Sequence, residues 1–126
     1  MRTLFLCLLL LAAIIGFGLF FQKMLAGESQ DMIGRLQDIQ SCILDDKWEQ
    51  AGKNMSDAAS QWQHIRKKWH AVTDHTQIGI IDESLARLQV FVKQKEKKDC
   101  LAEIAALQQN IRYIPDKEKL TLSNIF

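Results

Sequence analysis

Proline and glycine are scarce in this sequence, which has one proline and six glycines among 126 residues. Both residue types interrupt regular structure, so their scarcity argues against a fold of many short strands and favours helices. The single proline, Pro115, should end a helix at Ile114, because a residue that precedes proline avoids the helical conformation.

Cysteine motifs are also missing. The three cysteines, Cys7, Cys42 and Cys100, form no CxxC pair, which argues against a zinc knuckle or a thioredoxin-type redox site. Cys42 and Cys100 could pair with each other if the domain lies in an oxidising compartment. The alternative, which we favour, is that both are small buried hydrophobic side chains.

The sequence has no excess of one charge and no catalytic motif. Its 16 basic and 15 acidic residues nearly balance, so we expect no nucleic-acid surface. His64, His70 and His75 are six and five residues apart, whereas two metal ligands on one helix face need a spacing of three or four. Phosphate-binding loops and nucleophile motifs are absent. We therefore expect no enzymatic activity, metal site or cofactor.

One long hydrophobic run, Leu4–Phe21, precedes the polar remainder. Its 18 residues carry no charge, and as a helix they would be about 27 Å long, which matches the hydrocarbon thickness of a bilayer. A cleaved signal peptide is the alternative, but Met24 stands where cleavage after Ala26 would need a small residue. We therefore predict a transmembrane signal-anchor over residues 1–26 and a separate helical domain over residues 27–126.

The orientation of this anchor depends on its flanking charges. Arg2 precedes the run and Lys23 follows it, so the positive-inside rule discriminates weakly. A signal-anchor that begins so close to the N-terminus usually keeps that terminus inside. The expected location is the cell membrane, crossed once, with the C-terminal domain outside the cytoplasm and the lipid bilayer as one partner.

Four sets of apolar residues, spaced by three and four, predict four amphipathic helices in the rest of the chain. Asp45 and Asp46 are interpreted as the start signal of the second helix. The sets are Met32, Leu36, Ile39 and Ile43; Trp48, Ala51, Met55, Ala58, Trp62, Ile65, Trp69 and Val72; Ile78, Ile81, Leu85, Leu88 and Val92; and Cys100, Ile104, Leu107, Ile111 and Ile114.

Four such helices with short connections predict an all-α fold. The N-terminal transmembrane helix should be followed by an antiparallel bundle of about four helices, arranged as two α-hairpins. Trp48, Met55, Trp62 and Trp69 share one heptad position. We interpret this row as core or as a seam for a partner, because exposed tryptophans are costly.

The end of the chain is apolar again, with Leu120, Leu122, Ile125 and Phe126 after a polar stretch. In water these side chains would favour aggregation or mark a binding surface. We expect them to dock onto the bundle, and the alternative is that they bind a partner.

Several of these segments together resemble a known family. They are the helix with Trp48-x-x-Ala51, Trp62 and Trp69, the segment Ile81–Leu88 and the ending Leu120–Phe126. In this order behind an anchor, they are similar to a family of small uncharacterised single-pass membrane proteins from spore-forming Gram-positive bacteria, a domain of unknown function. The resemblance implies a helical extracytoplasmic domain in sporulation or the cell envelope, with no assigned functional residues. Residues 75–80 depart from the family, where a more acidic stretch is expected.

Two functional hypotheses follow. The first is a membrane-anchored helical interaction or structural module that binds another membrane or envelope protein. The alternative is a sensor-like domain that binds a small ligand within the helical bundle, with the tryptophans supplying the pocket. Neither hypothesis predicts an oligomeric state.

Overall fold

The computed structural model describes residues 1–125, and for residues 121–123 and 125 it describes the backbone alone. The described residues form four α-helices, which are α1 (Arg2–Leu44), α2 (Trp48–His70), α3 (His75–Lys93) and α4 (Lys97–Ile125). Each helix packs against two others, in the ring order α1, α2, α3, α4 and back to α1. The prediction of an all-α bundle is thus confirmed.

The core lies along one stripe of each helix. Buried apolar side chains recur at spacings of three and four, and they include every predicted heptad position except Trp48 and Val72, which are half-buried. The stripe of α1 also contains Leu25 and Ser29, which lie nearer the N-terminus than the predicted set.

α1 is a single helix of 43 residues, about 65 Å long. It runs without a break through the predicted boundary between residues 26 and 27, so the apolar N-terminal segment and the first bundle helix are one element. At this boundary Gly27 disfavours the helix by about 1 kcal/mol, and the burial of Leu25, worth about 1.5–3 kcal/mol, offsets that cost. The N-terminal part of α1 is long and apolar enough to cross a membrane, a property that signal sequences share.

The connections α1–α2 and α3–α4 end their first helices in the same way. Asp46 has a φ angle of 58°, and the N–H of Lys47 donates to the carbonyl of Cys42 at 2.8 Å. Lys95, with a φ angle of 57°, takes the equivalent place after α3. A left-handed residue spanned by such a bond forms the Schellman motif. Asp46 therefore ends α1, and the prediction that it starts α2 is wrong.

α4 continues through Pro115, so the predicted helix end at Ile114 is also wrong. Proline has no N–H, which deprives the carbonyl of Ile111 of its donor within the helix. The hydroxyl of Ser29 on α1 donates to that carbonyl instead, at 3.3 Å, and Ser29 is only 3% exposed. A side chain from the neighbouring helix therefore satisfies the group that proline leaves unpaired.

A polar contact joins α3 to α4. Glu103 accepts hydrogen bonds from the hydroxyl of Ser84 at 2.6 Å and from Nε of Arg87 at 3.1 Å. Burial acts to raise the pKa of Glu103, but the hydrogen bonds from Arg87 and Ser84 together with the Arg87 charge hold this pKa below its usual range. The carboxylate is thus kept ionised between the two helices.

Candidate functional site

α2 and α3 pack less closely than the other neighbouring helices, and an open groove lies between them. This α2–α3 groove has a volume of about 960 Å³. Its lining comprises Trp48, Glu49, Gly52, Met55 and Ser56 from α2, Ala86, Gln89, Val90, Val92 and Lys93 from α3, and Lys95 from the next turn.

Small residues on both walls account for the space. Gly52 contributes no side chain, and a Cβ atom placed there would meet no atom within 4 Å. Ala86 contributes only a methyl group to the wall formed by α3. Because side-chain volume sets how fully two helices fill the space between them, this stretch stays open.

The interior of the groove is apolar and its rim is charged. Met55 is buried, Trp48 is half-buried, and Val90 is 50% exposed. A single exposed valine is ordinary on a protein surface, but here it joins Trp48 and Met55 in one apolar strip. Lys93 and Lys95 line one end of the groove, where Glu49 offsets one of their two positive charges.

The groove continues along α2 in the direction of its C-terminus. A second stretch of about 440 Å³ shares Ala86 and Gln89 with the first and reaches Arg66 and Asp82. From Trp48 to Arg66, α2 extends by about 27 Å, or about five helical turns. The two stretches together form a channel of that length between α2 and α3.

A polar contact closes the channel at the Arg66 end. Nε1 of Trp62 donates to Oδ1 of Asp82 at 2.6 Å. Arg66 contacts the same carboxylate through Nε at 3.3 Å and Nη2 at 2.7 Å. Paired contacts of this kind between arginine and a carboxylate are specific in geometry. They hold α2 to α3 here, whereas no hydrogen bond of the described residues joins the two helices near Trp48.

Trp69 makes a matching contact to α1. Its Nε1 donates to Glu28 at 2.9 Å, and Nζ of Lys68 lies 3.0 Å from the other oxygen of that carboxylate. The rings of Trp62 and Trp69 pack edge to face, with centroids 5.6 Å apart. Both tryptophans are almost fully buried, so Trp48 is the tryptophan whose ring remains accessible from the groove.

The other predicted site residues lie elsewhere. None of the residues in the run Leu4–Phe21 is buried. Leu120 is 66% exposed, so the bundle covers only about a third of its side chain, and the docking of the tail stays a prediction. The side chains of Leu122, Ile125 and Phe126 lie outside the described part of the chain.

Two of the histidines meet across the α2–α3 connection. The ring centroids of His70 and His75 are 4.7 Å apart, and Nδ1 of His70 is buried without a hydrogen-bond partner. His64 is exposed. In the part of the chain that the structure describes, no three His, Cys, Asp or Glu side chains form a group that could hold a metal ion.

Cys42 and Cys100 are free thiols in this structure. Cys100 is buried, and this burial, reinforced by the charges of Asp99 and Glu96, raises the pKa of its thiol to about 11. Cys42 is half-buried, and its sulfur accepts a hydrogen bond from Nδ2 of Asn54 at 3.6 Å. Cys100 is therefore packed as a small hydrophobic side chain.

The sequence did not predict the wall that α3 contributes to the groove. Its residues are not at heptad positions of α3, so the heptad pattern did not identify them; they are Ala86, Gln89 and Val90. The usable signal was Val90, an apolar residue outside the seam, together with Gly52 in the middle of a long helix.

The model of one protein family matches residues 19–125, and it describes a domain of unknown function, DUF4363. The match covers most of the chain, so the chain belongs to this family. The matched region begins at Leu19, near the end of the apolar run, and contains all of α2 and α3 and α4 up to its last residue. No curated protein and no solved structure matches the chain.

Proposed function

We propose that this DUF4363 protein is a membrane-anchored interaction module that binds a helix of another membrane or envelope protein in the α2–α3 groove. The groove carries the proposal, because a channel about 27 Å long between two helices, apolar at its Trp48 end and polar at its Arg66 end, suits an amphipathic helix laid into it. The channel is lined by Met55 and Val90 and has Trp48 at its mouth.

The proposed anchor is the N-terminal part of α1. The large hydrophobic side chains from Leu4 to Phe20 are 51–71% exposed, except that of Ile15, which is half-buried. Each would be more stable by about 1.5–3 kcal/mol if it were removed from water, and a bilayer removes all of them together. On this proposal the chain crosses the membrane once and residues 27–126 lie outside the cytoplasm. The cell envelope or sporulation is then the setting, as the family resemblance implies.

The groove also indicates the chemistry of its occupant. A helix with apolar residues at spacings of three and four would cover Trp48, Met55 and Val90. Acidic residues near the end of that helix would face Lys93 and Lys95, whose two positive charges outnumber the single negative charge of Glu49 at this end, and such pairs favour one orientation of binding. The binding partner is therefore an amphipathic helix with an acidic end.

Photo-crosslinking in native membranes tests this function. A benzoylphenylalanine at Val90 of the full-length protein should crosslink a membrane or envelope protein through a helical segment, identified by mass spectrometry. The same probe at Ala105, an exposed position on α4, should not. Gly52→Leu, which fills the groove, should abolish the crosslink, whereas Gly79→Leu, at a glycine outside the groove with equally open surroundings, should preserve it. Equal crosslinking by both leucine variants would contradict the proposal.

A small-ligand sensor is the second candidate, favoured by the volume of the groove. Ligand sites commonly occupy about 300–1,000 Å³, and the groove falls within this range. Binding there would change the fluorescence of Trp48 and raise the melting temperature of the purified full-length protein. The sensor function replaces the interaction module if two results are obtained. Gly52→Leu removes a ligand-induced rise in melting temperature, and the probe at Val90 forms no crosslink with or without the Gly52→Leu substitution.

A further inference from the structure

At the end of the bundle far from Trp48, the last turns of α4 lie beside the apolar part of α1. The hydrogen bond from Ser29 to Ile111 places these two residues at the same height. Further along, Glu118 lines a small cavity together with Phe21 and Gln22. The two helices are thus antiparallel, and each step along α4 towards its C-terminus corresponds to a step along α1 towards its N-terminus.

This register places Leu120 level with Phe20. Each lies nine residues beyond the Ser29–Ile111 contact, or about 14 Å along its helix. Leu120 and Phe20 are both 66% exposed, and Phe20 belongs to the apolar run Leu4–Phe21. A bilayer that surrounds Phe20 therefore extends to Leu120 as well.

The two helical turns that precede Leu120 have the character of a membrane interface. Tyr113 is 47% exposed, and Nζ of Lys117 lies 5.9 Å from the centre of its ring. Lys23 follows the apolar run on α1. Tyrosine at the headgroup level is typical of membrane interfaces, and lysine side chains near that level extend towards water. Asp116 and Glu118 balance the lysines of this turn, so the attraction to the membrane would be apolar.

We propose that the end of α4 inserts into the same bilayer that holds α1, with Leu120 in contact with the lipid acyl chains. The inference rests on the membrane anchoring in the proposed function and adds a second point of membrane contact. The sequence continues in the same character with Leu122, Ile125 and Phe126. α4 reaches this depth because it continues through Pro115, where Ser29 donates to the carbonyl of Ile111.

Two points of membrane contact determine how the bundle stands on the membrane. A bundle held by α1 alone could tilt and rotate about that helix, whereas a second contact through α4 restricts both motions. The end of α1 at Leu44 lies 24 residues beyond Phe20, or about 36 Å along the helix. The mouth of the α2–α3 groove, next to the α1–α2 turn, would then lie far from the membrane, where it meets partner segments that project from the bilayer.

Depth-dependent quenching tests the inference on the full-length protein. Single cysteines replace Leu120, Phe20 or Leu44 in a variant whose three native cysteines are alanine, and each is labelled with an environment-sensitive fluorophore. The proteins are reconstituted in phosphatidylcholine–phosphatidylglycerol vesicles with or without brominated phosphatidylcholine. Leu44 is the matched control, since it is a leucine with 54% exposure at the opposite end of the bundle.

The label at position 120 should lose about the same share of its emission to brominated lipid as the label at position 20, while the label at position 44 loses none. Quenching at position 20 without quenching at position 120 overturns the inference and leaves the anchor intact. A label at position 120 that is shielded from iodide in the water but not quenched by brominated lipid would show that a protein surface covers it, which also overturns the inference. Absence of quenching at position 20 would overturn the anchor and the inference together.

Discussion

The α1–α4 seam and the α2–α3 seam differ although both join antiparallel helices with heptad spacing. Along α1 and α4 the buried stripe consists mostly of isoleucine and leucine, and a cross-helix hydrogen bond at Ser29 adds to the packing. Along α2 and α3 the helices are held at Trp62 and Asp82 but leave a groove beside Gly52 and Ala86. Heptad spacing thus selects which face is buried, while the size of the flanking residues decides how closely the helices approach.

The largest expected effect separates the closed core from the groove. Trp62→Ala should lower the free energy of unfolding by about 3–5 kcal/mol, because a buried aromatic ring is lost and Asp82 loses the indole donor. Trp48→Ala should cost clearly less, since Trp48 is half-buried at the groove mouth. Denaturant unfolding of the full-length protein in detergent measures both. Equal losses of unfolding free energy in the two variants would show that Trp48 is packed as tightly as a core residue.

The next largest effect is expected at the closely packed α1–α4 seam. Ser29→Ala should cost about 1–3 kcal/mol, because the buried carbonyl of Ile111 would lose its donor. In a Pro115→Ala background the helix supplies its own N–H, so the same serine substitution should cost much less. A double-mutant cycle on unfolding free energies measures this difference. Additive effects would show that the hydrogen bond does not compensate for the proline.

A smaller change in stability is expected at the α2–α3 groove. Gly52→Ala should stabilise the protein by about 0.5–1 kcal/mol, because alanine favours a helix over glycine and the added methyl group meets no atom. Gly27→Ala offers the same helical gain outside the groove. We expect both variants to melt at higher temperature, and only Gly52→Ala to weaken the Val90 crosslink. A loss of stability at Gly52 would mean that the groove is narrower than described.

The smallest effect should appear at acid pH in the α3–α4 seam. The pKa of Glu103 is lowered by its hydrogen bonds in the folded protein, so its contribution is present above its unfolded pKa of about 4.3. That contribution is lost as the pH falls through the lower folded pKa. Glu103→Gln should therefore flatten the acid side of the stability curve, measured as the urea midpoint at a series of pH values. An unchanged curve would show that the Arg87 contact is too exposed to stabilise the fold.

The helices and their buried faces could be predicted because they depend on local spacing. Ile78, Leu85 and Leu88 recur at a period that has one solution, a helix with a single apolar stripe. The ends of the helices were harder to predict. Asp46 carries the signal of a helix start, yet it adopts the left-handed conformation that ends α1. Aspartate is tolerated both as an N-cap and as a left-handed residue after a helix, and the sequence pattern alone does not distinguish these two roles.

The candidate site could be predicted only in part. Trp48 and Met55 stood out from the sequence, but their separation from the buried Trp62 and Trp69 depends on where α3 lies. Val90 can be recognised as a groove residue only once the fold shows that Gly52 lies on the facing helix. Such contacts join residues more than thirty positions apart, and no local pattern records them.

By itself, the sequence determined that the chain forms amphipathic helices behind an apolar segment, because periodicity and hydrophobicity act within a few residues. The tertiary structure decided that α1 runs unbroken from that segment into the bundle, that α4 passes Pro115, and that α2 and α3 separate into a groove. Each of these outcomes depends on a partner from another helix: the bundle around Leu25, Ser29 for the carbonyl of Ile111, and Ala86 on the wall that faces Gly52. Local propensity opposes a helix through glycine or proline by about 1 and 3 kcal/mol, and only packing between helices supplies enough free energy to override it.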